Sequence, residues 1–121
     1  MKTKTETPLI YLDNARTLLS QKAEKEDGYY QSKKYVRMAG HAAYMAILTA
    51  LDVSMPPKKK GRLSIEDYRT FLANHNKKLL THFNSLYDVL HLSMAYDGIQ
   101  DAKVVHIALS SAEDFIGKVA K

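Results

Sequence analysis

The sequence predicts an all-α protein, an antiparallel up-and-down four-helix bundle, and three observations support this prediction. Turn residues are scarce, with five glycines and three prolines in 121 residues, whereas an all-β fold needs more of them. Apolar residues recur at three- and four-residue steps in four separate segments. Mostly short turns join these segments, which makes successive helices antiparallel. A chain of this length forms one domain, here residues 1–121.

The first predicted helix runs from about Pro8 to Asp27. Proline suits the first helical position because its missing N–H has no partner to lose there, and Thr7 before it can cap the helix. Gly28 accepts the left-handed conformation that often follows a helix end. Residues 1–6 are predicted to be a frayed N-terminus and not a signal peptide, since no apolar stretch follows their charges.

The second predicted helix runs from about Gln31 to Val53. Polar residues almost vanish from Ala42 onwards, which indicates a helix that is buried nearly all round. Small residues that would let a neighbouring helix approach closely also lie along it: Ala39, Gly40, Ala42, Ala43 and Ala46. We therefore predict that this is the central helix, and that its small residues form the seam of a homodimer.

The third and fourth predicted segments complete the bundle. The third, Ser64–Tyr96, is long for one bundle helix, and Ser64 can cap its first turn. We expect a break near Asn74–Asn76, because these polar residues have poor helix propensity. The fourth runs from about Asp101 to Ala120 and carries a broad apolar stripe.

Most of the excess positive charge lies in one predicted loop, residues 54–63. The net charge is +5, and four of the positive residues fall within this loop. A nucleic-acid-binding domain usually spreads its cations along a face. Binding of nucleic acid through Lys58, Lys59 and Lys60 is therefore kept as a further alternative function.

Several kinds of site are absent from the sequence. With no cysteine, disulfides and thiolate metal sites are excluded. No Gly-x-Ser-x-Gly elbow or glycine-rich phosphate loop is present, and the five histidines lack the carboxylate spacing of a bundle metal site. We predict no metal and no cofactor. The longest apolar run, Ala42–Leu51, is too short to cross a bilayer, so no membrane association and a cytoplasmic location are expected.

The start of the second helix carries candidate ligand-binding residues. Tyr35 can stack on a base, and Lys34, Arg37 and His41 lie near it in the sequence. The structural alternative is that tyrosines cover the mouth of the bundle, with the ring inside and the hydroxyl in water. We favour the structural role and keep these four residues as candidates.

Five strings of the sequence resemble a family of small bacterial proteins of unknown function: Leu12–Arg16, Glu26–Tyr30, Lys34–His41, Asn76–Leu80 and Leu90–Gly98. The resemblance covers nearly the whole chain. That family in turn is similar to the HEPN superfamily of four-helix bundles. This superfamily includes ribonuclease toxins and the helical partners of minimal nucleotidyltransferases.

The HEPN resemblance implies two alternative functions. Its nucleases carry an arginine followed a few residues later by a histidine, and Arg69 and His75 fit this interval. His75 would act as the acid or base and Arg69 on the phosphate, in a metal-independent ribonuclease or toxin–antitoxin component. The His-x-Tyr continuation of the toxins is missing after His75. The second role is a non-catalytic module, and a nucleotidyltransferase-type protein is the partner that the resemblance implies.

Since the sequence gathers no reactive set, we expect the non-catalytic role. The predicted module binds a protein partner or a nucleotide-type ligand and is a homodimer.

Overall fold

The computed structural model describes residues 4–56 and 61–120, and this part of the chain is predominantly helical. Its helices, in chain order, are α1 (Glu6–Gln21), α2 (Lys33–Asp52), α3 (Ile65–His75), α4 (Lys77–Leu86), a π-helix (Tyr87–Tyr96) and α5 (Ala102–Val119). An antiparallel hairpin of two short strands, β1 (Lys25–Glu26) and β2 (Tyr29–Tyr30), lies between α1 and α2. The helical content agrees with the predicted all-α class. Lys58, Lys59 and Lys60 lie outside the described residues.

The core is apolar and has α2 at its centre. This helix packs against α1, the π-helix and α5. No residue from Ala42 to Leu51 is exposed, which confirms the prediction of a helix buried nearly all round. Phe83 of α4 and Phe115 of α5 are also fully buried. None of the helices in the described residues has the length and apolar character that crossing a membrane requires.

The small-residue face of α2 is occupied within the chain itself. Ala39, Ala43 and Ala46 are fully buried, and Gly40 lies directly against the π-helix. A Cβ atom built at Gly40 would lie 2.5 Å from the Cβ of Met94 and 2.6 Å from a backbone nitrogen of the π-helix. The prediction that this face forms a dimer seam is therefore wrong, because a neighbouring helix of the same chain already covers it.

The predicted break in the third segment is confirmed, and Asn76 produces it. Its extended backbone ends α3, and its side-chain oxygen accepts hydrogen bonds from the backbone N–H groups of Lys78 and Leu79, at 3.1 and 3.2 Å. Asn76 therefore both ends α3 and caps the start of α4. At the other end of α3, Ser64 and Asp67 form a reciprocal capping box, as the predicted start requires.

The predicted end of the first helix at Asp27 is wrong, since α1 ends at Gln21. Asp27 and Gly28 instead form the turn of the hairpin, with φ angles of 53° and 83°. Positive φ at both central residues is typical of the tight turn that matches the twist of two antiparallel strands, and Asp-Gly is a frequent sequence for it.

Backbone hydrogen bonds join the hairpin to the loop before α5. The N–H of Tyr30 donates to the carbonyl of Gln100 at 2.8 Å, and the N–H of Ala102 donates to the carbonyl of Gly28 at 2.9 Å. The side-chain amide of Gln100 also donates to the carbonyl of Tyr30, at 2.9 Å. The end of α1 and the start of α5 are thereby held side by side.

Candidate functional site

Aromatic and ionisable side chains gather where α2, α3 and the π-helix meet. We call four residues the aromatic row, since three of them carry aromatic rings and the fourth packs on one of those rings: Arg69, Tyr87, His91 and Tyr96. The first comes from α3 and the other three from the π-helix. π-Helical segments are rare and are found frequently at functional sites, which makes this row the first candidate.

The rings of the aromatic row contact one another and a tyrosine of α2. The His91 ring stacks on Tyr44, with centroids 4.7 Å apart and planes 26° apart. Tyr87 lies 5.1 Å from His91 and meets Tyr44 edge to face at 5.9 Å. Each ring of this trio therefore contacts the other two, so the imidazole is held between two tyrosines.

Arg69 is fixed at one end of the row. Its guanidinium carbon lies 5.2 Å from the centre of the Tyr87 ring, in the range of a cation–π contact. Its Nε donates to Oδ1 of Asn84 at 3.1 Å, and its Nη1 donates to Oε1 of Glu66 at 3.0 Å. The Arg69 side chain is still 35% exposed, so part of it remains accessible to solvent.

Tyr96 forms the other end of the row and is the most accessible ring in it. Its centroid lies 6.3 Å from that of His91, edge to face. The residue is 72% exposed, which leaves its ring open to a partner from solvent. The row thus runs from a fixed guanidinium to an open aromatic ring.

His91 carries an unusual atom within the described part of the chain. Its Nδ1 is buried and has no hydrogen-bond partner there. Leaving a buried polar atom unpaired costs about 1–3 kcal/mol, so such atoms require an explanation. Stacking on Tyr44 and the tilted contact with Tyr87 keep the ring in place despite this cost. A site that accepts a partner is one explanation for retaining it.

Tyrosines on the core side of the row are neutral hydrogen-bond donors. Burial, followed by the neighbouring Tyr87, raises the pKa of Tyr44 to about 12, and Arg69 only partly opposes this. The Tyr68 hydroxyl donates to Oδ1 of Asp52 at 2.7 Å, and burial and this carboxylate raise the pKa of Tyr68 as well. At neutral pH these phenols cannot serve as bases.

The predicted catalytic pair, Arg69 and His75, has two different surroundings. Arg69 belongs to the aromatic row, whereas the His75 ring stacks on Phe71 at 4.3 Å. The His75 Nδ1 also lies 2.8 Å from the Phe71 carbonyl oxygen. The arginine and the histidine thus have contacts with different neighbours.

The candidates at the start of α2 are placed at the surface. The Nζ of Lys34 lies 5.4 Å from the centre of the Tyr35 ring, so these two are brought together. Lys34, Arg37 and His41 are exposed, and Tyr35 is half-buried with its ring packed against the core. This position of Tyr35 agrees with the structural role that we favoured.

No motif in the sequence identifies the group that Arg69 joins. Tyr87, His91 and Tyr96 follow one another at steps of four and five residues. The five-residue step from His91 to Tyr96 is longer than the three- and four-residue steps of an α-helix, and it suits a helix with i→i+5 hydrogen bonds. That spacing was the available signal. No local sequence pattern indicates that Tyr44 of α2 contacts these rings.

A second polar contact joins α4 to α5. The His82 Nε2 lies 2.7 Å from Oγ of Ser111, and the His82 ring meets Phe115 edge to face. Burial lowers the pKa of His82, Lys118 lowers it further, and Asp114 opposes them. In the residues that the structure describes, no group of three or more His, Cys, Asp or Glu is placed to hold a metal ion.

Comparison with known proteins gives a family and a close structural relative. The family described as "Domain of unknown function (DUF5618)" matches residues 3–121. A solved structure, a protein of unknown function from Dyadobacter fermentans, is similar with a TM-score of 0.91 and 46% identity. The similarity covers 97% of this chain and 94% of that chain. No curated protein matches the chain.

Proposed function

Because the chain belongs to the family of the domain of unknown function DUF5618, which carries no assigned activity, we propose a function from its geometry. The protein is a non-catalytic helical-bundle module that binds a nucleotide-type ligand on the aromatic row. The observation that carries this proposal is the fixed Arg69 guanidinium, connected by ring contacts to the exposed ring of Tyr96.

The two ends of the row suit the two parts of a nucleotide. A base stacks on an exposed aromatic ring, a contact worth about 1–3 kcal/mol, and Tyr96 provides that ring. A phosphate binds an oriented guanidinium, and Asn84 and Glu66 orient Arg69 for this. Successive groups of the row are 5.2, 5.1 and 6.3 Å apart, so an unbroken series of contacts connects the cation to the open ring.

The chemistry of the row supports binding more than catalysis. The phenol of Tyr44, with its raised pKa, remains protonated at neutral pH. The Nδ1 of His91 is buried and cannot exchange protons directly with solvent. Arg69 supplies a guanidinium that Asn84 and Glu66 hold in place. These residues offer stacking surface and positive charge, and both are used in recognition.

Calorimetric titration with ATP at low ionic strength tests the proposal. We expect saturable binding, and Tyr96→Ala should weaken it roughly tenfold or more because one stacking contact is lost. Arg69→Gln should also weaken it, by removing the cation that faces the phosphates. Tyr11→Ala, a partly exposed tyrosine on α1, is the matched control and should bind like the wild type.

Two outcomes would contradict the proposal. One is a wild-type protein that shows no saturable heat with ATP. The other is equal affinity for the wild type, Tyr96→Ala and Arg69→Gln, with circular dichroism showing that both variants are folded.

A ribonuclease of HEPN type is the second candidate, and the fixed cation of Arg69, whose side chain is partly exposed, favours it. In that case RNA incubated with the protein and a chelator is cleaved, and His75→Ala abolishes the cleavage. Equal results for the two proteins would reject it. The homodimer, a nucleotidyltransferase-type protein partner and nucleic-acid binding through the lysine loop stay predictions.

A further inference from the structure

A cleft between α1, the hairpin and α5 has the features of a second binding site, separate from the aromatic row. Its volume is about 450 Å³, which falls in the range of small-molecule pockets. Side chains of all three elements line it, and none of these lining residues, all within the described chain, is an aspartate or glutamate. We call it the cationic cleft.

The hairpin gives the cationic cleft a fixed wall. Lys25 stands on β1, which pairs with β2. Tyr30 of β2 is joined through its backbone to Gln100 before α5, at 2.8 Å. These hydrogen bonds hold Lys25 opposite α5 instead of leaving it on a free loop. The cleft is therefore preformed, which reduces the entropy lost when a ligand binds.

The lining combines an apolar floor with a cationic rim. Leu19 of α1 and Leu109 of α5 are each only 4% exposed, and they form the apolar part. Arg16, Lys25 and His106 each come from a different element and provide nitrogen donors around it. A few converging polar groups over an apolar surface are typical of sites for small organic ligands.

Two carboxylates, those of Asp13 and Glu113, adjust the charge of the rim, and Oδ1 of Asp13 lies 4.0 Å from Nη1 of Arg16. Nη1 of Arg16 lies 2.9 Å from Oε1 of Glu113, which neutralises part of its charge and also orients it. The hydroxyl groups of Ser20 and Tyr30 line the same cleft and can donate hydrogen bonds. Burial raises the pKa of Tyr30, so its hydroxyl keeps the proton that such a bond needs.

We propose that the cationic cleft binds a small organic anion, a phosphate or carboxylate attached to an apolar body. The anionic group lies among Arg16, Lys25 and His106, and the apolar body lies on Leu19 and Leu109. The ligand carries a negative charge because the rim is cationic. It carries an apolar body because two leucines form the floor.

Titration followed by nuclear magnetic resonance, with phenyl phosphate, benzoate and inorganic phosphate in separate arms, tests this inference. We expect one of the two aromatic anions to bind saturably, with shifts in the backbone signals around Leu19, Lys25 and Leu109. Inorganic phosphate should bind more weakly, because it cannot use the floor. Binding of phenyl phosphate alone identifies a phosphate site, and binding of benzoate alone identifies a carboxylate site.

Charge variants make the test specific to the cationic cleft. Lys25→Gln should weaken binding of the preferred anion about tenfold, since a charge-assisted contact is lost. Arg16→Gln should have a similar effect. Lys103→Gln on α5 removes an exposed lysine that does not line the cleft, and its affinity should equal that of the wild type. Affinities that are equal in all four proteins, or no saturable binding by any of the three anions, would overturn the inference.

Discussion

Gly40 lies where α2 meets the π-helix, and the close contact there leaves no room for a side chain. A Cβ atom at this position would approach the Cβ of Met94 to 2.5 Å and the backbone nitrogen of Ala95 to 2.6 Å. A backbone atom cannot move aside by changing a rotamer. The position of the π-helix, and with it the rings of Tyr87 and His91, therefore depends on the absence of one methyl group.

We predict that Gly40→Ala lowers the free energy of unfolding by about 1–3 kcal/mol, because overpacking outweighs the better helix propensity of alanine. Gly117→Ala is the control, since a Cβ atom there meets nothing within 4 Å. The control should stabilise α5 by roughly 0.5–1 kcal/mol. Urea denaturation measures both. A Gly40→Ala protein as stable as the wild type would show that the two helices can separate at no cost.

At the scale of elements, the most informative segment is the one from α3 to the π-helix. The low helix propensity of residues 74–76 predicted the break, and the side chain of Asn76 explains it. The π-helix was not predicted, because its apolar residues also fit three- and four-residue steps. The π-helix also packs closely against Gly40 of α2, and no local pattern contains that contact.

Asn76→Ala should destabilise the protein by about 1 kcal/mol. The Asn76 side chain accepts hydrogen bonds from two backbone N–H groups at the start of α4, and the substitution removes this acceptor. Asn74→Ala is the matched control, since Asn74 is an exposed residue inside α3. It should change stability by less than about 0.5 kcal/mol. Thermal and urea denaturation compare the two variants. Equal effects would mean that the cap contributes nothing specific.

The hairpin shows a different limit of local sequence patterns. Asp27-Gly28 predicts a left-handed turn, and a left-handed residue follows many helix ends as well as forming tight hairpin turns. Pairing with Gln100 contributes to the hairpin, and Gln100 is 70 residues from Tyr30 in the sequence. The choice between a helix end and a hairpin therefore depends on contacts that only the complete fold supplies.

At the scale of the whole molecule, the all-α class and the central position of α2 followed from apolar periodicity. The candidate site followed only in part. Arg69 is selected by its distance in sequence from His75, yet the contacts that place it in the row are with Tyr87 and Asn84 on other elements. Periodicity reports which face of a helix is buried. It does not tell which buried faces contact one another, and the candidate site lies where such faces meet.

The acid sensitivity of the whole protein should depend on His82. Burial holds its pKa in the folded state below the usual 6.5, so the unfolded chain takes up a proton at a higher pH than the folded one. The contribution of His82 to the free energy of unfolding should therefore not depend on pH above 6.5. It should fall as the pH decreases from 6.5 through the lower folded pKa.

Urea denaturation at a series of acidic pH values, with wild type and His82→Gln, measures this effect. The variant should lose part of the pH dependence, while His41→Gln, which changes an exposed histidine on α2, should keep it. An unchanged slope in His82→Gln would assign the acid sensitivity to other groups.

The bonds between the hairpin and the loop before α5 also have a consequence for how the chain matures. Because Tyr30 and Gln100 are far apart in the sequence, their pairing must close a long loop, and the entropy of that closure opposes it until most helices are packed. A ribosome-bound chain that has not yet released residue 100 cannot complete this wall. Any molecule that requires the wall will therefore select finished chains, and its binding will add to their resistance to unfolding.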